Sequence, residues 1–204
     1  MPTLLSVTSD PRFKRVLQCP IAVEANSKQI KLVLSSRRPD GLSRVHVLEL
    51  QRTHEGESWR SSYLYSIEPE MLFAKCAGVI ASDFLVSATG TWSLLVQAFT
   101  KHEEGLRSEV GLIELGKEST RTPGTLRYSV VLGNTKQFPF IGAPTITTIE
   151  DKLCIVFSTP GAEFSSSEGF PKAYGLYVTP FSLEATSHVS WDASPLFWPS
   201  PHSD

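Results

Sequence analysis

The sequence has few of the residues and patterns that mark disulfide-rich or metal-binding proteins. It contains three cysteines, Cys19, Cys76 and Cys154, which lie far apart and form no Cys-x-x-Cys pair. This number and spacing argue against a disulfide framework and against a cysteine-based zinc site. Free cysteine usually behaves as a small buried hydrophobic residue, so we expect these side chains in the core.

Long hydrophobic runs and a strong net charge are also missing. No apolar stretch reaches the roughly 18 residues of a transmembrane helix, and no basic region followed by a long apolar one opens the chain. We therefore predict no transmembrane helix and no signal peptide, and we expect a cytoplasmic protein or one exported by an unconventional route. The net charge of -2 gives no electrostatic reason to expect a nucleic-acid or membrane partner.

The common motifs of catalytic and cofactor sites are absent. Neither a Gly-x-Ser-x-Gly elbow nor a Gly-x4-Gly-Lys-Ser/Thr phosphate loop occurs. No histidine is paired with another histidine or a cysteine at ligand spacing, so we predict no metal and no cofactor. The histidines are His46, His54, His102, His188 and His202. We name no catalytic residue, because the carboxylates do not form an identifiable pair of the kind that glycosidases use.

Helical periodicity is almost absent, whereas strand and turn signals run along the whole chain. Apolar residues come in bursts of about four to six, bounded by Gly, Pro, Ser, Asp and Asn. The 14 prolines and 13 glycines are spread along the chain, as many short strands with many turns require. The sequence therefore predicts an all-β protein. His46 lies in one of the predicted strands, where we expect a half-buried or outward side chain.

A pattern of four strands recurs at intervals of about sixty residues. Its clearest member is a second strand that begins polar, becomes apolar and ends at small or polar residues: KQIKLVLSS (28–36), TWSLLVQAF (91–99) and DKLCIVFST (151–159). A first strand precedes each copy, at 20–25, 83–88 and 144–149. The third strands are at 43–50, 108–115 and 173–181, and the fourth at 59–67, 125–132 and 186–192. Linkers with aromatic residues and proline follow at 68–76, 136–144 and 194–201.

Four strands in about sixty residues are typical of one blade of a β-propeller. We therefore predict a single β domain over residues 1–204, with blades at about 20–67, 83–132 and 144–192. Three blades leave open edges and faces, so the predicted propeller is either incomplete or half of a six-bladed ring formed by two copies. A β-sandwich is the alternative fold, because it too is built from many short strands.

One part of the chain resembles a known type of blade. The stretch GAPTITTIEDKLCIVFSTPGAEF, followed by AYGLYVTPFSLEATSHVSWDASP, is similar to blades of lectin-like and sialidase-like propellers, best over residues 142–191. Its layout resembles that of fungal fucose-binding lectins, although the Ser-x-Asp-x-Gly-x-x-Trp turn of sialidase blades does not occur. The resemblance implies a sugar site between blades, with an Arg and a Glu from one blade and aromatic residues from the next. Arg37 or Arg38 with Glu49 match that description.

The turn SRRPDG, residues 36–41, carries the most distinctive polar side chains. Arg37 and Arg38 can donate paired hydrogen bonds to a carboxylate, a phosphate or sugar hydroxyls. In the simpler interpretation, Pro-Asp-Gly builds a hairpin and both arginines are solvated. Trp59, Trp92 and Trp191 can stack on a sugar, or each can belong to the core between blades.

These patterns favour a non-enzymatic, lectin-like protein that binds a glycan. Its candidate ligand-binding residues are Arg37, Arg38, Glu49, Trp59, Trp92 and Trp191. Two alternatives stay open, namely an intracellular scaffold that binds protein partners through its loops, and a glycosidase-type propeller enzyme or a fragment of one. The expected partners are accordingly a glycan, a protein, or a second copy that completes the propeller.

Overall fold

A computed structural model describes most of the chain, and the structural statements below concern those residues. They are 21–25, 28–53, 59–87, 90–103, 105–116, 126–133, 140–160, 174–181 and 194–197. Within these ranges the secondary structure is almost entirely β-strand, with one short 3-10 turn at Pro69–Met71. None of the helical segments in the described ranges has the length and apolarity needed to cross a membrane.

The described strands form three consecutive groups of four, which we call units 1, 2 and 3. Unit 1 contains β1 (Ile21–Ala25), β2 (Gln29–Arg37), β3 (Ser43–Arg52) and β4 (Trp59–Ile67). Unit 2 contains β5 (Cys76–Val86), β6 (Trp92–His102), β7 (Gly105–Gly116) and β8 (Arg127–Leu132). Unit 3 contains β9 (Gly142–Ile149), β10 (Lys152–Pro160), β11 (Tyr174–Pro180) and β12 (Ser194–Phe197).

Within each unit every strand pairs antiparallel with the strand that follows it in the chain. Such a four-stranded meander is the structure of a propeller blade. The predicted all-β, propeller-like fold is therefore confirmed, and over the described residues the sheets do not close into a ring. This arrangement is that of an incomplete propeller, not of the alternative β-sandwich.

Units 1 and 2 approach each other closely at one point. A single parallel pair, Ser43 with Gly78, joins β3 to β5. A Cβ atom on Gly78 would lie 2.5 Å from the Ser43 Oγ and 3.3 Å from the Ser43 backbone nitrogen. A side chain at this position would force the Ser43 hydroxyl to turn aside and would crowd the Ser43 backbone nitrogen, so glycine suits this close approach.

Two hydrophobic clusters fill the spaces between neighbouring units. The first lies between units 1 and 2 and contains Val33, Val45, Val47, Tyr65, Ile67, Val79, Ala81, Leu94, Val96 and Ile113. The second lies between units 2 and 3 and contains Leu95, Val110, Val131, Leu132, Ile141, Ile155, Phe157 and Phe181. Full burial of a large aliphatic or aromatic side chain stabilises a fold by about 1.5–3 kcal/mol. The stacked units are thus held together mainly by these clusters.

Several predicted strands have different limits in the structure. β5 begins at Cys76 and not at Asp83, because the residues before Asp83 pair with the second half of β6. The segment Ser194–Phe197 forms β12, although it was predicted as a linker. The predicted fourth strand at 186–192 lies outside the described residues.

The interior contains one histidine that the sequence analysis placed wrongly. His46 on β3 was expected to be half-buried or outward, but it is 0% exposed. Its Nε2 lies 2.6 Å from the Ser36 Oγ, and its ring meets that of Tyr63 at 5.9 Å between centroids. The prediction failed because both faces of unit 1 are covered. Cys76 and Cys154 are buried free thiols, as expected, while Cys19 lies outside the described residues.

Candidate functional site

The polar side chains of unit 1 gather at two opposite ends of its sheet. In the β2–β3 hairpin, Arg37 is paired with Ser43, whereas Lys31 is paired with Glu49. Six residues of β3 therefore separate the two ends, a distance of about 20 Å along an extended strand. The arginines of the turn and Glu49 cannot act on one small ligand.

At one end, a set of ion pairs surrounds Arg38, and we call it the charged turn (Arg38, Asp40, Arg44, Glu68 and Glu70). Arg38 contacts Asp40 at 2.7 Å, Glu68 at 3.2 Å and Glu70 at 2.9 Å. Arg44 also contacts Glu68, at 3.3 Å. The hairpin turn after β2 is thereby tied to the segment that connects β4 to β5.

Protein groups already occupy the donors of Arg38. Burial acts to lower the pKa of its guanidinium, but the hydrogen bond and charge of Glu70, together with Asp40 and Glu68, raise it above the usual value. The Arg38 side chain is 24% exposed, which leaves little of it open to a ligand. The charged turn is therefore an internal clasp between chain segments, whereas Arg37 is exposed at the end of β2.

At the other end, polar residues of unit 1 continue the face that packs on unit 2. Val33 and Val47 on this face belong to the cluster between the units. Side chains two residues apart on a strand share a face. Lys31 is two residues from Val33, and Glu49 is two residues from Val47. Both side chains therefore lie on the face that packs on unit 2, just beyond the cluster, and the two residues are paired with each other. Gln51 follows on this face, paired with Gln29.

Unit 2 places two aromatic residues at the border of the cluster between units 1 and 2. β5 leaves β3 at the Ser43–Gly78 pair and passes over β2, where the Ala81 amide donates to the Ser35 Oγ at 3.0 Å. Phe84 stacks on Trp92, with ring centroids 6.2 Å apart and an interplanar angle of 16°. Both rings pack against the cluster between units 1 and 2 and are half-buried. The inter-unit rim, which we define as Gln29, Lys31, Glu49, Gln51, Phe84 and Trp92, thus has a polar wall and an aromatic wall.

The carboxylate of Glu49 is held in place by two amide groups. Gln29 Nε2 donates to its Oε2 at 2.6 Å, and Gln51 Nε2 donates to its Oε1. A fixed carboxylate with neighbouring amides can exchange several hydrogen bonds with ligand hydroxyl groups. The aromatic pair of unit 2 adds apolar surface at the border of the same cluster, so the rim residues include both kinds of group found in small-molecule binding sites.

Two of the candidate residues named from the sequence border the cluster between units 1 and 2. Trp92 packs against this cluster and Glu49 continues its face on β3, whereas Arg37 and Arg38 lie at the other end of unit 1, so the suggested Arg–Glu pair does not form. Trp59 is paired with Arg52, and Arg52 is three residues from Glu49 along β3. An odd separation along a strand places side chains on opposite faces, so Trp59 projects from the face of unit 1 opposite to Glu49. Trp191 lies outside the described residues.

Sequence reasoning missed Phe84, Gln29 and Gln51. One signal for the two glutamines was present in the sequence. Polar side chains replace the apolar ones at alternate positions of both strands of a hairpin, in Gln29-Ile-Lys31 and Glu49-Leu-Gln51. Polar residues at matched positions of paired strands mark a polar patch on one face of a sheet.

Comparison with known structures supports the class of fold, a β-propeller. The Bombyx mori GH32 β-fructofuranosidase in complex with sucrose superposes with a TM-score of 0.50 at 11% identity, covering 80% of this chain and 33% of that chain. The GH43 endo-arabinanase from Bacillus licheniformis gives a TM-score of 0.49 at 16% identity, covering 82% of this chain and 51% of that one. The chain thus spans about half of the arabinanase and a third of the fructofuranosidase. No protein-family model and no curated protein sequence matches this chain.

Proposed function

We propose that this chain is a non-enzymatic, lectin-like protein that binds a carbohydrate at the inter-unit rim. The observation that carries the proposal is that Glu49, held by two amides, and the stacked Phe84–Trp92 pair both border the cluster between units 1 and 2. A sugar needs both kinds of wall, because one side of its ring is covered with hydroxyl groups and the other presents C–H bonds. Aromatic side chains supply large apolar contact to such a surface.

The fold supports a carbohydrate ligand in a general way. The fructofuranosidase with which this chain shares its fold was solved with sucrose bound. In the proposed complex, the sugar lies between units 1 and 2, its hydroxyl groups toward Glu49 and its C–H face toward Trp92. The buried valines below the rim exclude water from the base of the site.

Binding is favoured over hydrolysis by the distribution of carboxylates. Glycosidases place two carboxyl groups about 5–9.5 Å apart on either side of the bond they cleave. Glu49 is the one carboxylate among the side chains that the structure describes at the inter-unit rim, and Glu24, which is paired with Lys31 across β1 and β2, lies outside that set. Glu68 and Glu70 lie close together in the charged turn, but both contact Arg38 Nη1, which occupies the space between them.

A glycan array with the full chain, followed by calorimetric titration of the best ligand, tests this function. We expect saturable binding, and we expect Trp92→Ala to weaken it by roughly 2- to 10-fold, because contact with an aromatic ring contributes about 0.5–1.5 kcal/mol beyond the area buried. Trp59→Ala is the matched control, since Trp59 also begins a strand but faces the other side of unit 1. No saturable binding, or equal losses in the two variants, would remove the proposal.

A further inference from the structure

The hydrogen bonds of Glu49 limit which ligand groups it can accept. An ionised carboxylate has about four acceptor sites, two on each oxygen, and no donor. Gln29 takes one site on Oε2, and Gln51 takes one site on Oε1. One acceptor site therefore remains on each of the two oxygens of this carboxylate.

Two donors on neighbouring atoms fit such a pair of sites. Arginine binds carboxylates in this manner, with two parallel hydrogen bonds from adjacent nitrogens. In a saccharide the corresponding group is a vicinal diol, two hydroxyls on adjacent ring carbons. An acidic sugar would instead turn its carboxylate away from Glu49, where like charges repel, and toward Lys31 at the paired position of β2, so that its diol would not face Glu49.

We infer that the inter-unit rim selects neutral saccharides with a free vicinal diol, both hydroxyls of which donate to Glu49. This inference rests on the proposed function and names the ligand class of the same site. The two glutamine amides fix the carboxylate before the ligand arrives, so little ordering is required on binding. Trp92 and Phe84 then contact the ring that carries the diol.

The experiment measures the affinity of the full chain for simple glycosides. The methyl glycosides of D-glucose, D-galactose, D-mannose and L-fucose are titrated first, and the tightest ligand is then replaced by its monodeoxy analogues. Hydrogen bonds to a charged group are among the stronger ones, so removal of either diol hydroxyl should weaken binding by about 10- to 100-fold. The two sensitive positions should be adjacent on the ring, and the corresponding methyl uronide should bind more weakly than its neutral parent.

Variants show whether Glu49 is the group that makes this selection. Glu49→Gln keeps the size of the side chain but replaces one acceptor oxygen with a donor, so the difference between parent and deoxy analogues should shrink to about 2-fold or less. Glu114→Gln is the matched control, because Glu114 is an exposed glutamate on the third strand of unit 2. Thermal unfolding of each variant verifies that it folds, and Glu49→Asp provides a second variant that keeps the charge but shortens its reach.

Each outcome has a distinct meaning for the two proposals. Glycoside binding without loss for any deoxy analogue, or with loss only at non-adjacent positions, overturns the diol inference and leaves carbohydrate binding intact. Tighter binding of the uronide also overturns it. A complete absence of binding to the glycosides and on the array overturns the carbohydrate function, and the inference with it.

Discussion

The ring of Tyr128 on β8 lies over Gly111 on the adjacent strand β7. A Cβ atom on Gly111 would overlap the Tyr128 ring, so the close packing of this ring requires glycine. The Tyr128 hydroxyl donates to Glu109 Oε1 at 2.8 Å, and the ring lies against that of Phe73. Burial raises the pKa of the Tyr128 phenol, and the nearby Glu109 carboxylate raises it further.

The stability contribution of Tyr128 should depend on alkaline pH. A raised pKa in the folded state means that the phenol keeps its proton while the unfolded phenol, with its ordinary value of 10.0, loses it. Its contribution is thus full below about pH 10 and falls as the pH rises further. We expect Tyr128→Phe to lower the free energy of unfolding by about 1 kcal/mol at pH 7, through loss of a hydrogen bond. Urea unfolding should show this deficit narrowing at pH 11, and a constant deficit would contradict the account.

Arg38 provides a second test at the level of single residues. Because its carboxylate partners belong to the charged turn, Arg38→Ala should lower the free energy of unfolding by about 1 kcal/mol, the upper end for a partly exposed ion pair. High salt should reduce this effect. Arg37→Ala, at the exposed neighbouring position, should have little effect on stability. Sugar binding should be unchanged in both variants, and a loss in Arg38→Ala alone would move the site to the charged turn.

Among the strands, β5 and β9 are linked by one carboxylate. Asp83 Oδ2 accepts a hydrogen bond from the Thr145 hydroxyl and another from the Ile146 backbone amide, each at 2.8 Å. The ladder between β5 and β6 is irregular between Ala81 and Asp83, at the position from which this side chain reaches β9. The first strands of units 2 and 3 are thus joined by polar contacts beside the second hydrophobic cluster.

Loss of this link should loosen unit 3 on unit 2. Asp83→Ala removes both hydrogen bonds to β9, and we expect it to lower the free energy of unfolding by about 1.5–3 kcal/mol. Hydrogen exchange at the Ile146 amide should become faster, since its acceptor is gone. Thr145→Val serves as the control, because it removes one bond and leaves the amide contact in place. Unchanged protection of Ile146 in Asp83→Ala would show that the link is unimportant.

Strand existence could be predicted from the sequence better than strand register. The alternation of Leu153, Ile155 and Phe157 in the stretch 151–159 predicts that they share one face, and they do pack together on unit 2. Residue-by-residue alignment of 28–36 with 91–99 matches Val33 with Val96, but this register is wrong, because Val33 faces unit 2 whereas Val96 faces unit 1. A one-residue slip exchanges the two faces of a strand. Because both faces of these strands are apolar, hydrophobicity contained no information with which to choose.

For the whole molecule, the stacking of units decides which side chains meet. Unit 2 reaches unit 1 through the Ser43–Gly78 pair and through the hydrogen bond from the Ala81 amide to Ser35, and both contacts join residues far apart in the sequence. The pairing of Arg38 with Glu68 and Glu70 depends in the same way on where the chain passes after β4. The sixty-residue repeat predicted the four-stranded units. It could not predict which residues of one unit contact the next, because those contacts depend on how the units pack together.

The location of a bound saccharide tests the central claim most directly. Two-dimensional amide and indole NMR spectra of the full chain, recorded while its best array ligand is added, report where binding occurs. The account predicts saturable shifts at Glu49, Gln51 and Phe84 and at the indole N–H of Trp92, with the Arg38 and Glu70 amides unaffected. Shifts confined to the charged turn, or to residues away from the junction of units 1 and 2, would contradict it.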